Sequence, residues 1–236
     1  MKLDVSSLQS VRDFAQEFLQ NETRLNVLIH NAGYANTFRK ALSVDGIELT
    51  MATNHFGPFL LTHLLIELIK KSAPSRIIIV ASSVYRLVSV DLENLNPVDS
   101  IPWYLYYVSK ACNIMFASEL SKRLEGTNVT VNCLHPGDVD TGIWRNVATI
   151  LKPGFYVWSK LRFITPVEGA KTTVYLATSD EVEGISGKYF KHCKEVWIRD
   201  DAKDPVTCLR LWLESEKMVK LQPSDPQIDA RSFAKF

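Results

Sequence analysis

A chain of 236 residues, 46% hydrophobic and 22% charged, can bury one full core and is short for two ordinary domains, so residues 1–236 are read as a single domain. Its formal net charge of +1 supplies no field that would gather nucleic acid or an anionic membrane, and Lys and Arg are scattered along the chain. Cys112, Cys133, Cys193 and Cys208 lie far apart without a Cys-x-x-Cys pair, which predicts reduced core thiols and no metal centre. The longest uncharged run, Leu49 to Ile66, is interrupted by Asn54, His55, Pro58 and His63 and reads as a buried helix, so no transmembrane segment is expected.

In chain order, the first pattern is "SSLQSVRDFAQEFLQN", where Leu8, Val11, Phe14, Phe18 and Leu19 recur at helical spacing behind Ser6 or Ser7 as N-cap. "LNVLIHNAG" is a short apolar strand stopped by Gly33. A helix from Asp45 to Lys71 follows, bent or reset at Gly57 and Pro58 because proline lacks the amide donor. "SRIIIVASS" is a buried strand on the strength of the β-branched run Ile77 to Val80. After the loop "VDLENLNPVDSIP" a helix begins near Tyr104 and carries Met115, Phe116, Leu120 and Leu124 inward. "NVTVNCLHPG" is a further strand ending in a glycine turn. "TPVEGAKTTVYLAT" is a helix with Pro166 in its first turn, "GKYF" a last short strand, and Asp204 to Lys220 a final helix. The polar tail from Leu221 to Phe236 is expected to fray. Strands alternating with helices imply an α/β fold with a parallel sheet covered on both faces, and ligands of such sheets sit at the carboxyl ends of the strands.

The chemistry concentrates in "WYLYYVSKACN". Tyr106 stands four residues before Lys110, so on a helix both side chains leave one face a single turn apart; Tyr107, offset by three, stays open on spacing alone. A free phenol titrates near pH ~10, and each unit of downward shift requires ~1.4 kcal/mol of stabilisation of its anion. A neighbouring ammonium is expected to supply that here.

Six stretches occur together in one order: "LDVSS" at Leu3, "NAG" at Asn31, "DGIELTMATNHFGPFLLT" from Asp45, "VASSV" at Val80, "YYVSK" ending at Lys110 and "HPGDVDT" at His135. With them the chain resembles the short-chain dehydrogenase/reductase family, in its retinol dehydrogenase branch. The resemblance implies a Rossmann-like doubly wound parallel sheet. It also implies that Tyr106 is the general acid or base and that Lys110 lowers its pKa while holding the nicotinamide ribose. Ser83, with Ser82 as the second choice, would hydrogen-bond the substrate oxygen, and Asn54 would anchor a water that relays protons to Lys110. Cofactor contacts would come from Asp4 at the adenine, from Asn31, Ala32 and Gly33 beside the adenosine ribose, and from Pro136, Gly137 and Thr141 flanking the nicotinamide. Asp4 is equally readable as a helix N-terminal charge.

The family's opening strand, its glycine-rich turn and its second strand have no counterpart here. "MKLDVSS" matches the third strand, so the expected sheet is N-terminally truncated, lacking two strands and the turn that would receive a pyrophosphate. Strand Met1 to Asp4 would have no obvious partner, and the edge of the "NVLIHN" strand would be open.

The implied activity interconverts a lipophilic alcohol and its aldehyde, retinol and retinal being the pattern, with NADP(H) favoured and NAD left open. Trp103, Tyr104, Trp144, Phe155, Tyr156 and Trp158 could line a lipophilic pocket or fill a core. The alternative is a catalytically weak or inactive binding or assembly protein that pairs its open sheet edge with a partner. The apolar faces of the Asp45–Lys71 helix and the Tyr106 helix would, by the family resemblance, build a homodimer, or equally serve core packing alone, and the family suggests the cytoplasm or the cytosolic face of the endoplasmic reticulum.

Overall fold

A computed structural model describes residues 1–140 and 163–229. Thr141, Trp144, Phe155, Tyr156 and Trp158 lie outside the described residues. The first helix, α1 (Leu8–Asn21), is capped by Ser7, whose side chain accepts the Ser10 amide, and it buries Leu8, Val11 and Ala15. Residues 1–4 form no strand. No described strand lies beside them, and Asp4 is tied up locally, its carboxylate accepting both the amide and the hydroxyl of Ser6.

Five strands lie in the order β1 (Val27–His30), β2 (Ser75–Val80), β3 (Val129–His135), β4 (Tyr189–Lys191) and β5 (Lys194–Val196). The first three pairings are parallel and the last antiparallel. β5 escaped the sequence reading. It forms a hairpin with β4 through His192 and Cys193, which both take positive φ (52° and 58°), the conformation of a two-residue primed turn. No Asn-Gly or Asp-Gly pair marks that turn in the sequence. Among the described residues β1 has a single strand neighbour, β2, and Ile29 on it is 39% exposed.

The helix expected from Asp45 starts later, at α2 (Leu49–Met51). Residues 43–47 make a tight turn through Gly46 at φ +76°, and the Glu48 side chain accepts the Thr50 and Met51 amides as a cap. A π-helical turn, Ala52–Phe56, joins it to α3 (Gly57–Lys71), so the expected reset falls just before Pro58. A Cβ on Gly57 would sit 1.9 Å from the Val5 carbonyl oxygen, so this glycine lets the N-terminal segment cross the helix in contact.

The helix α4 (Pro102–Arg123) packs with α3 against one sheet face. On the other face α5 (Pro166–Thr178) covers Ile78, Val80, Leu134 and Phe190 through Leu176. Thr165 and Glu168 form a reciprocal capping box at the start of α5.

The last helix, α6 (Pro205–Met218), lies on α4. Its Trp212, 1% exposed, packs its ring 5.0 Å from Phe59, 5.8 Å from Phe116 and 5.1 Å from His63, with the Arg123 guanidinium 4.2 Å from its centroid. The chain thus covers part of the apolar surface of α3 and α4 with its own helix, as core packing of those faces would require. Residues 221–229 pack back on the helices, and the rest of the expected tail, 230–236, lies outside the described residues. Arg12 holds Asp225 by two hydrogen bonds of 2.8 Å, Arg123 donates to the Ile228 carbonyl, and Ile228 is 2% exposed. The sequence reading missed this because the anchors, Arg12 and Arg123, lie over a hundred positions away. Three cysteines are buried as expected, whereas Cys193, in the hairpin turn, is half-exposed.

Candidate active site

The carboxyl ends of β1, β2 and β3 present Asn31–Gly33, Ala81–Ser83 and Pro136–Gly137, and α4 lays Tyr106 and Lys110 across them. Lys110 is buried and its amine donates 2.9 Å to the carbonyl of Val80, the last residue of β2. The same amine lies 5.5 Å from the centroid of the Tyr106 ring, so the four-residue spacing brings the two side chains together as expected. Tyr107 instead packs its ring 5.5 Å from Trp103.

The electrostatics of the pair differ from the sequence expectation. Burial of its hydroxyl end pushes the Tyr106 phenol up to about 12, against a hydrogen bond from Ser82 that lowers it, with the charges of Tyr107 and Asp138 adding to the rise. Burial brings the Lys110 ammonium down to about 8. Burial is the largest cause of both shifts.

The phenol's serine contact is Ser82, the second choice, which also caps the 3-10 turn Ser83–Leu87 by accepting the Val84 amide. Ser83 opens that turn half-buried. Strand geometry explains why the sequence could not separate them: neighbouring serines past a strand end point to opposite sides, and the turn that follows decides which faces α4.

Asn54 sits in the π-helical turn, a local widening that often marks functional positions. Its side chain accepts the Tyr34 amide at 2.7 Å and donates to the Tyr34 carbonyl at 3.0 Å and the Ser109 hydroxyl at 2.9 Å. Ser109 in turn donates to the Tyr106 carbonyl at 2.7 Å. Asn54 therefore ties the residue after the "NAG" turn to the helix that carries the tyrosine, and its amide is spent on those contacts. Ser109 was missed, since a serine inside Tyr-x-x-x-Lys carries no signal until Asn54 is placed against it.

Asn31 and Ala32 are exposed and Gly33 is half-buried at the end of β1. Asp4 is exposed at the start of α1, where the charge reading and the adenine reading share one position. Pro136 is half-buried, and Gly137 takes φ +97°, where a Cβ would meet Ile164 Cδ1 at 2.7 Å. The buried lysine, the Gly137 turn and the exposed turn after β1 all lie at carboxyl ends of strands, where ligands of such sheets sit. No described residues form a glycine-rich phosphate cradle.

A parallel sheet with this tyrosine and lysine across its strand ends defines a class, and the family comparison agrees. Residues 1–150 match the model of the short chain dehydrogenase family, and the chain belongs to that family. It is similar to human retinol dehydrogenase 14, 49% identical over 224 residues, covering 93% of this chain and 66% of the relative. Dehydrogenase/reductase SDR family member 13 of Bos taurus is 40% identical over 231 residues, covering 95% and 60%. The chain thus spans about two thirds or less of the length of these curated relatives. Among solved structures, an uncharacterized protein of Mycobacterium paratuberculosis superposes with a TM-score of 0.72 at 31% identity, over 93% of this chain and 75% of that one. The active-site complex of Pseudomonas aeruginosa RhlG with NADP gives 0.61 at 25% identity, over 80% and 73%.

Proposed function

We propose that the chain carries the reacting half of an oxidoreductase site that interconverts a lipophilic alcohol and its aldehyde, of retinol and retinal type, with NADP(H) as the hydride carrier. The observation that supports this most is the approach of the Lys110 amine to the Tyr106 ring over the strand ends. Tyr106 is the general acid. With its phenol pushed up to about 12 it is fully protonated at neutral pH, the state needed to give a proton to an oxygen that is gaining negative charge.

Lys110 holds the nicotinamide ribose, and Ser83 or Ser82 donates to the substrate oxygen. Asn54, through Tyr34 and Ser109, fixes the turn Asn31–Gly33 against α4; its part in a water relay would fall to its backbone. Pro136, Gly137 and Thr141 flank the nicotinamide, and Asp4 with the Asn31–Gly33 turn takes the adenosine side. The dinucleotide supplies the hydride. The name of the retinol dehydrogenase 14 relative and the NADP of the RhlG complex support the substrate class and the cofactor.

A second reading, a binding or assembly protein, is favoured by the open β1 edge with its exposed Ile29. Titration of the protein with NADPH, followed by intrinsic tryptophan fluorescence, separates the two. Saturable micromolar binding supports the oxidoreductase; no change up to millimolar NADPH together with no turnover of all-trans-retinal supports the assembly protein.

A further inference from the structure

Large apolar side chains stand out into solvent on two loops beside the site: Phe38 (56% exposed), Leu42 (57%) and Val44 (85%) after the Asn31–Gly33 turn, and Ile101 (50%) and Trp103 (42%) where α4 begins. A single exposed apolar residue needs no explanation, but a group covering roughly a few hundred Å² or more marks a surface made for contact. Here the two loops are fastened together. The Lys40 amine donates to the Asp99 carbonyl, the Glu48 amide to the Asn96 side chain at 2.8 Å, and the Asn96 side-chain amide to the Gly46 carbonyl at 3.1 Å. The exposed residues therefore form one rim, next to the strand ends across which α4 lays Tyr106.

The composition of the rim selects its occupant. From Tyr34 to Val44 the chain carries Arg39 and Lys40, both exposed, and no acid; Asp99 of the second loop already faces Lys40 at 3.8 Å, which leaves Arg39 in excess. Apolar tips interleaved with basic charge suit the boundary between acyl chains and anionic headgroups. Trp103 stacks edge-on with Tyr104 and Tyr107, at 6.5 and 5.5 Å between ring centroids. Such rings, apolar in body and polar at one tip, collect at that same boundary. Loop backbone cannot enter the hydrocarbon core with its polar groups unpaired, so the contact is one of lying on a bilayer and not of crossing it.

Resting on the reading above, we propose that the rim formed by Phe38, Leu42, Val44, Ile101 and Trp103 docks on an anionic lipid surface and that the substrate passes from the lipid to Tyr106 without crossing water. A lipophilic alcohol or aldehyde partitions into hydrocarbon because water is a poor solvent for its chain. A site that opens beside a lipid-seated rim meets that substrate where it is concentrated. Arg39 supplies the attraction to headgroups, and the apolar tips supply the burial.

The test is co-sedimentation with vesicles of phosphatidylcholine, alone or mixed with phosphatidylserine, for the wild type and for a double variant carrying Phe38→Asp and Val44→Asp. Both positions are exposed, so circular dichroism melts of the two proteins should coincide, and Leu42→Asp takes the place of the double variant if that one melts early. The wild type is expected to bind the mixed vesicles, less so as salt rises, and the variant to bind them about tenfold or more weakly. Substrate supply gives a second readout. With all-trans-retinal carried in the vesicles the variant should turn over more slowly than the wild type, while with a short water-soluble aldehyde the two should match. A wild type that stays in the supernatant with both kinds of vesicle overturns the proposal, and so does a folded variant that binds as tightly as the wild type. A wild type that ignores vesicles but forms a dimer broken by the same substitutions overturns it in favour of a second copy on the rim. Absence of turnover removes the oxidoreductase reading, while sedimentation still decides whether the rim meets lipid.

Discussion

Lys110 shows how far a single residue could be read. Its spacing from Tyr106 was legible in the sequence and is realised, but the sense of their interaction was not, because desolvation depends on how completely neighbours exclude water, and four positions of spacing say nothing of that. The lysine titrates near 8 in the folded chain and near 10.5 when unfolded. Between those values the unfolded state binds the extra proton, so stability rises with pH across that window. The expected rise totals roughly 3 kcal/mol from this one group. Urea unfolding at pH 8 and pH 10 in wild type and Lys110→Met checks it: subtracting the two series should isolate the rise, and parallel series would contradict the burial. Ser82 is the counterpart case. Of the two adjacent serines the resemblance favoured Ser83, whereas Ser82, which caps the 3-10 turn after β2, is the one that reaches the phenol.

At the scale of elements, α1, β1, β2, β3 and α4 were legible because each has a clean period or a β-branched run bounded by turn residues. The π-helical turn and β5 were not. A π turn widens a helix without changing its apolar pattern, and the β4–β5 hairpin turns on His192 and Cys193, residues with no primed-turn signature. Gly57 was read as part of a proline reset, yet its main constraint is the Val5 carbonyl. Gly57→Ala is therefore expected to destabilise by about 1–3 kcal/mol, the usual range for overpacking, and to loosen the N-terminal segment. Hydrogen exchange at residues 5–8 should quicken in that variant, whereas unchanged exchange and stability would place the segment elsewhere. Trp212 binds α6 to α3 and α4, and truncating a buried tryptophan to alanine typically costs about 3–5 kcal/mol. Because α6 covers apolar residues of α3 and α4, Trp212→Ala should both lose stability and begin to self-associate as it exposes Phe59 and Phe116. Light scattering of the variant against the wild type reads the second effect, and a variant that stays at the wild-type mass would show that the uncovered face is not sticky.

For the whole molecule, the parallel sheet covered on both faces followed from strand and helix alternation, while the packed residues 221–229 did not, because partners as remote as Arg12 and Asp225 leave no local pattern. One global property follows from burial. His30, His55, His63 and His135 are all held neutral, with burial bringing each down to about 4. Below their ordinary value near 6.5 the unfolded chain gains protons that the folded chain refuses, so stability is full above that pH and is lost as pH falls from 6.5 toward 4. A loss of up to about 1.4 kcal/mol per histidine per unit is large against a typical total of about 5–15 kcal/mol. Urea midpoints should thus drop steeply over that interval, and a flat response between pH 7 and pH 5 would contradict the burial of these rings.

The central claim is that Tyr106, and not its neighbour Tyr107, delivers the proton over the strand ends. The direct measurement is kcat/KM for NADPH-dependent reduction of all-trans-retinal by wild type, Tyr106→Phe and Tyr107→Phe side by side. The account predicts that Tyr106→Phe falls by about 100-fold or more, in keeping with lost general acid catalysis, while Tyr107→Phe stays close to wild type. Equal rates in all three proteins, or an equal fall in both variants, would contradict it.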